Sequence, residues 1–338
     1  MSSLIPDKTD RRSALRRVIG AGAASLALPL VPRLIGMEAP SLISSAQAAG
    51  NAGARKGQGD LVYIAGKDAD TRMIAEWYDP KGATGPYRIG GNKAAYDRAP
   101  KEGSVSHYEA KTFNFPSGSI RVLTWKKGEP VRHQITFETE IFVLKGSATV
   151  EPLLGFTHKP YKIVKGDALF MPQGYITNLK TSEDTVLLTY IVSAAKSDAK
   201  FSHVHAKDAP ISKSMMWEEG GKIITASKPE EMKKAPKVAI KQSVQRYAFD
   251  GNSIRVATLS KGGRTPTFTI PPRTDVIIYI PQGRFRRQEG NQMLDLSAGD
   301  ALREKIGNPG WWEPLEDNSV FIATDAPVNP GVLPSASL

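Results

Sequence analysis

The sequence predicts an all-β protein of two tandem β-barrels, with an N-terminal extension before the first and a polar connection between them. Three observations carry this: an internal repeat, short strand-like segments between turn signals, and glycine and proline spread along the chain. Ser119-Ile120-Arg121-Val122 returns 134 residues later as Ser253-Ile254-Arg255-Val256, and Gly166-Asp167-Ala168-Leu169 returns 133 later as Gly299-Asp300-Ala301-Leu302. Glu183-Asp184 returns as Glu316-Asp317, and Phe142 to Gly146 matches Tyr279 to Gly283. Landmarks kept in order at nearly one offset mark duplicated units.

Each unit reads as short strands. Residues 120–125, 140–144, 168–171 and 186–192 are apolar, β-prone runs separated by Lys-Gly, Gly-Asp and Pro-x-Gly turn signals. The second unit repeats this at 254–259, 276–280 and 320–323. Regular short strands with almost no helical periodicity predict a sandwich or barrel. One helix is expected outside the units, where Ser227 and Glu230 could form a capping box before Glu231 to Ala235, with Pro236 as its stop.

The N-terminus carries an address. Asp10-Arg11-Arg12-Ser13-Ala14-Leu15-Arg16 has the form of a twin-arginine export motif, followed by an uncharged apolar run from Val18 to Pro32 and an Ala46-Gln47-Ala48 cleavage site. The expectation is a signal peptide over 1–48 and a periplasmic or secreted mature chain. Residues 1–48 hold six Lys or Arg and three Asp or Glu, so their removal takes the net charge from +11 to +8. Basic residues gather between Lys196 and Lys241 without interleaved stacking aromatics, which reads as a solvated surface and argues against a nucleic-acid partner. No stretch reaches the roughly 18 apolar residues of a membrane span, so no integral membrane segment is expected after signal removal. The chain has no cysteine, which excludes disulfides, thiol catalysis and thiolate metal ligation.

Trp125-Lys126-Lys127-Gly128, Arg132-His133 and Glu140 to Gly146 together resemble the first motif of the cupin family, and Gly166-Asp167 through Pro172-Gln173-Gly174 resembles the second. The resemblance spans about Ser106 to Ser193 and is weaker over Gln245 to Pro327, where the internal repeat supports it. It implies a bicupin, two jelly-roll barrels in one chain. The divisions are a signal peptide at 1–48, an N-terminal extension at 49–105, barrel 1 at 106–196, a connecting region at 197–244, barrel 2 at 245–328 and a tail at 329–338. Residues 50–105 and 197–242 match no motif and are expected to wrap or pair the barrels.

The same resemblance implies a divalent metal held by an HxH pair, a glutamate and a third histidine. Here the HxH becomes His133-Gln134-Ile135. The usual spacing puts Thr139 at the glutamate position, a one-residue deletion would put Glu140 there, and Glu138 is a third choice. Thr177 stands where the last histidine belongs. Barrel 2 has no histidine in either motif, and Asp275 lies near its carboxylate position. No cofactor and no metal are therefore expected, and any ion in barrel 1 would rest on His133 and Glu140.

Without metal, the candidate catalytic residues are His133, Glu140, Glu138 and Tyr175, with a glutamate as general base and His133 or Tyr175 as acid. Arg121, Trp125, Thr139 and Thr177 are the candidate substrate-binding residues. The competing structural reading makes Arg121 part of an ion pair and Trp125 core, since Arg121 has a counterpart in Arg255. His203-Val204-His205 reads as a surface pair or incidental metal site, with no carboxylate in register. His107 and His158 fit no motif. Of Trp311 and Trp312, one should pack inside the barrel and the other lie at a mouth or interface, with an aromatic or sugar platform as the functional reading.

The expected function is an exported bicupin binding a small organic ligand in barrel 1, with metal-independent lyase or isomerase chemistry as the form catalysis would take. A non-catalytic binding or structural bicupin is the alternative. A metal-dependent oxygenase or decarboxylase with an atypical site is the second. A homodimer is compatible with each.

Overall fold

The computed structural model describes residues 55–56, 62–78, 87–90, 97, 105–115, 118–128, 130–134, 138–154, 159–172, 175–191, 200–250, 252–269, 274–304 and 307–327. The signal-peptide reading over 1–48, His158 and the C-terminal tail lie outside the described residues.

The first half holds β1 (Arg55–Lys56), β2 (Val62–Ile64), β3 (Asp70–Tyr78), β4 (Tyr87–Gly90), β5 (Val105–Phe115), β6 (Gly118–Trp125), β7 (Pro130–Gln134), β8 (Thr139–Lys145), β9 (Ser147–Leu154), β10 (Tyr161–Val164), β11 (Ala168–Met171), β12 (Ile176–Thr181) and β13 (Thr185–Ile191). The second holds β14 (Ser202–Val204), β15 (Ile211–Glu219), β16 (Lys222–Ala226), β17 (Ile240–Ala248), β18 (Ser253–Leu259), β19 (Phe268–Thr269), β20 (Thr274–Gln282), β21 (Arg284–Glu289), β22 (Gln292–Ser297), β23 (Ala301–Glu304), β24 (Pro309–Pro314) and β25 (Ser319–Pro327).

Barrel 1 closes an eight-stranded sheet, β14-β11-β8-β13-β6-β5-β3-β4, over a four-stranded one, β10-β9-β12-β7. Barrel 2 does the same with β1-β2-β23-β20-β25-β18-β17-β15-β16 over β19-β24-β21-β22. Apart from β1, which has no counterpart in barrel 1, the two orders correspond strand for strand. The duplication therefore extends further than its sequence landmarks: β3, β4 and β5 match β15, β16 and β17, so the N-terminal extension and the connecting region are equivalent parts of the repeat.

The strand preceding each unit crosses to the other barrel. β2 pairs with β23 of barrel 2, Ile64 against Ala301, while β14 pairs with β11 of barrel 1, Val204 against Ala168. Each barrel is thus strapped by a strand entering the opposite unit.

Alternation along the strands sorts the apolar residues into three clusters. Ile141, Val143, Leu169, Met171 and Trp125 fill barrel 1, and Ile278, Ile280, Phe285, Leu302 and Trp312 fill barrel 2. Between them, Phe113, Ile120, Phe142, Tyr190, Tyr247, Ile254, Tyr279 and Ile322 form an interface core. This explains why strands such as β8 and β11 are apolar on both faces: one face lines the barrel and the other meets its neighbour.

The turn after β10 shows why glycine and aspartate recur. Gly166 and Gly299 have φ of 90° and 95°, a left-handed conformation that a side chain disfavours. Asp167 Oδ2 accepts the Val164 N–H at 3.1 Å, and Asp300 Oδ2 accepts the Ser297 N–H at 2.8 Å. The expected helix is displaced and short. It runs as α1 (Pro229–Met232), its N-cap is Lys228 rather than Ser227, and the Glu231 carboxylate accepts the Lys228 N–H at 3.4 Å. Proline at the first helical position sets this start, since its fixed φ suits the helix and its missing donor costs nothing there.

Candidate functional site

The start of β8 decides which residue inherits the cupin carboxylate position. Thr139 lies on the same face as Ile141 and Val143, toward barrel 1, and pairs with Met171. Glu140 faces the other way. Its carboxylate is fully buried in the interface between barrels and accepts the Thr324 hydroxyl at 2.5 Å. Tyr190, across from Glu140 on β13, donates its hydroxyl to the Ile322 carbonyl at 2.7 Å, and burial followed by the Glu140 charge pushes that phenol up. Glu140 as a catalytic or metal-binding residue of barrel 1 is therefore corrected: strand alternation sends it to the barrel 2 side, where it joins the two halves.

On the opposite sheet, Thr177 pairs with His133 across β12 and β7 and shares its face with Leu179 of the barrel 1 core. Thr177 is fully buried, and its Oγ1 has no hydrogen-bond partner among the described residues. Glu138 stands just before β8, half-buried, with Oε2 buried and likewise unpartnered. Burial raises its pKa above the ordinary 4.5. Tyr175, just before β12, is half-buried and stacks on Phe201 with centroids 6.4 Å apart. The structure thus brings His133, Thr177 and Tyr175 to one end of the small sheet and Glu138 and Thr139 to the start of the facing strand.

Arg121 and Trp125 do share the barrel 1 side of β6. Trp125 is 1% exposed and packs on Tyr108 with centroids 4.9 Å apart, so it is a core residue rather than a ligand platform. Arg121 is half-buried, and its carbonyl accepts the Thr189 hydroxyl. His107, on β5 opposite Ala75, is half-buried away from these groups in register.

A cupin metal does not fit the described donors of barrel 1. Two of the positions that would face it carry inward threonines, Thr139 and Thr177, whose neutral hydroxyls are not the imidazole and carboxylate donors such ions take.

Two arrangements escaped sequence reasoning. The first lies in barrel 2. Arg287, 0% exposed, contacts Glu304 at 2.8 Å and Glu289 at 3.1 Å, while the Trp312 indole N–H donates to Glu304 at 3.1 Å. The guanidinium also lies 5.2 Å from the Phe268 ring and 5.4 Å from Trp312. Burial pushes the Glu304 carboxyl up, and the charges of Arg287 and Arg255 oppose it. Register makes the equivalents plain: Val150 pairs with Leu179 where Arg287 pairs with Trp312, and Met171 pairs with Thr139 where Glu304 pairs with Val276. Counting four residues from Gly146 and from Gly283 would have exposed the exchange of Val150 for Arg287. Trp312 is the inward tryptophan, while Trp311 is half-buried beneath Arg264 at 5.2 Å. The Asp275 side chain lies outside the described residues.

The second concerns His203 and His205, read from sequence as lacking a carboxylate. Asp167 Oδ2 lies 3.3 Å from His203 Nε2 and 3.2 Å from His205 Nδ1. The aspartate belongs to the turn feeding β11, and β14 docks beside that strand, so residues 36 and 38 positions apart meet. Burial pushes the His203 pKa down, with Asp167 opposing and His205 adding to the fall.

No protein-family model and no curated protein matches the chain. Solved structures do. Protein YlbA from E. coli, of family model DUF861, superposes with a TM-score of 0.51 at 10% identity, over 80% of this chain and 93% of that one. A structure of oxalate decarboxylase reaches 0.52 at 12% identity over 80% and 78%, and a point variant of the B. subtilis oxalate decarboxylase 0.51 at 11% over the same shares. At such identities the likeness carries the fold alone, and the fold is that of a bicupin: two cupin jelly-roll barrels in tandem.

Proposed function

We propose that the chain binds a small polar organic ligand at the end of barrel 1 that carries Thr177, opposite His133 in register, on the small sheet and Glu138 and Thr139 at the start of β8. The observation that carries this is the Thr177 hydroxyl, fully buried on the inward face and without a partner among the described residues. An unsatisfied buried hydroxyl costs about 1–3 kcal/mol, which a ligand acceptor or donor would recover. Glu138 supplies the matching acid. Its raised pKa suits proton transfer in a lyase or isomerase, should the bound molecule be turned over. Residues 1–48 are read as a twin-arginine leader, so this binding would take place in the periplasm or outside the cell.

A second reading, a non-catalytic structural bicupin, is favoured by Val150, Met171 and Leu179, which pack the middle of barrel 1 with apolar side chains. The oxygenase or decarboxylase reading is disfavoured by the threonines at 139 and 177.

Thermal-shift screening of small carboxylates, hydroxy acids and sugars against parent and Thr177→Val chains tests the proposal. The expected outcome is a hit that raises the midpoint of the parent and loses its effect in Thr177→Val. A hit insensitive to Thr177 would move the site elsewhere, and a screen without hits would favour the structural reading.

A further inference from the structure

We propose that Asp167, His203 and His205 form a site for one divalent transition-metal cation of the zinc type, clasping β14 to barrel 1. The proposal is independent of ligand binding near Thr177. One ligand atom from each residue lies within 4.8 Å of the others. Asp167 is 1% exposed and His203 12%, whereas His205 is 46% exposed, so the cluster is rigid on one side and open to solvent on the other. Two imidazoles and a carboxylate with an open position are a donor set that zinc accepts.

The distances suit a shared cation as well as direct bonding. Two ligand atoms each ~2.1 Å from a tetrahedral centre stand ~3.4 Å apart. The His203 and His205 separations from Oδ2, 3.3 and 3.2 Å, are close to that spacing. A charge-assisted N–H···O bond is shorter, about 2.7–2.9 Å. Oδ2 also already accepts the Val164 N–H, and a carboxylate oxygen has about two lone-pair sites, too few for two further imidazole donors. Oδ1 is held by the Ala206 N–H at 3.0 Å, the kind of support that orients a metal-binding carboxylate.

Barrel 2 supplies an internal control. Asp300 occupies the same turn, and its Oδ1 accepts the Gly66 N–H at 2.7 Å as Asp167 accepts that of Ala206. Among the described residues its Oδ2 meets one side-chain donor, the Tyr63 hydroxyl at 3.1 Å. Tyr63 pairs with Leu302 as His203 pairs with Leu169. One donor suffices to strap barrel 2, so the two imidazoles of barrel 1, with centroids 4.2 Å apart and planes tilted by 59°, exceed the structural requirement.

Calorimetric titration of the full chain with zinc, after chelator treatment, tests the site beside His205→Ala, His203→Gln and the control His107→Ala. The expected result is one zinc per chain and a raised thermal midpoint. Either cluster substitution should weaken affinity by at least ~10-fold, since even outer-shell changes cost that much. His107→Ala should bind as the parent does. Because His205 is half exposed, its substitution leaves the fold intact. Absence of saturable binding in the parent, or parent-like binding by His205→Ala, would overturn the proposal.

Discussion

Barrel 1 and barrel 2 share one strand order, yet three equivalent inward positions are filled in opposite ways. Where barrel 1 places Val150, Met171 and Leu179, barrel 2 places Arg287, Glu304 and Trp312. The same backbone accepts either an apolar filling or a neutralised charge network, provided every buried charge finds its partner. Barrel 2 ion-pairs its inward Arg287 with Glu289 and Glu304. Barrel 1 keeps fewer inward polar groups, and Thr177 and Glu138 retain atoms with no hydrogen-bond partner among the described residues. The difference teaches that polar residues inside a barrel do not by themselves mark a binding site.

The largest effect should come from breaking the network in barrel 2. Arg287→Met leaves Glu289 and Glu304 without their buried cation and should cost about 3–5 kcal/mol in urea unfolding. Converting Arg287, Glu289 and Glu304 together to methionine, in imitation of barrel 1, should recover most of that loss. A single substitution as costly as the triple would mean that the network confers stability as a unit rather than being merely tolerated.

Next is the contact between barrels. Glu140→Ala should destabilise by about 1.5–3 kcal/mol, the range for hydrogen bonds to charged groups, and should couple with Thr324→Val in a double-mutant cycle. Additivity of the two would show that the bond contributes nothing to barrel pairing.

The smallest effect concerns Glu138. Its folded pKa lies above its unfolded one, so its favourable contribution is complete below the ordinary 4.5 and is lost as pH rises through the folded value. Glu138→Gln should therefore gain thermal midpoint relative to the parent as pH rises from 4.5, measured by calorimetry across the acidic range. A pH-independent difference would place Glu138 in solvent.

Much of this architecture was legible in the sequence because turn chemistry leaves marks. Gly166-Asp167 and Gly299-Asp300 recur since only glycine tolerates the φ and only a short carboxylate closes the turn. The extension and connecting region were opaque. Their strands β3 and β15 face different surroundings, and at equivalent positions Ile74 is core while Ser214 bonds Gln242, so pairing survives where sequence likeness does not. The candidate site was half legible. Thr139, Thr177 and Tyr175 followed from motif spacing, but Glu140 did not, because a one-residue shift on a strand reverses its face. The Asp167 cluster was hidden by sequence separation, since the docking of β14 on β11 is a tertiary event that no local pattern announces.

The stability of Thr177→Val without ligand probes the difference between the barrels most directly. If Thr177 Oγ1 is reserved for a ligand, replacing it with a methyl of the same shape removes an unsatisfied buried group, and urea unfolding should show a gain of about 1 kcal/mol. A loss of stability on the same substitution would mean that the hydroxyl serves the fold, and that barrel 1, like barrel 2, keeps its inward polar groups for itself.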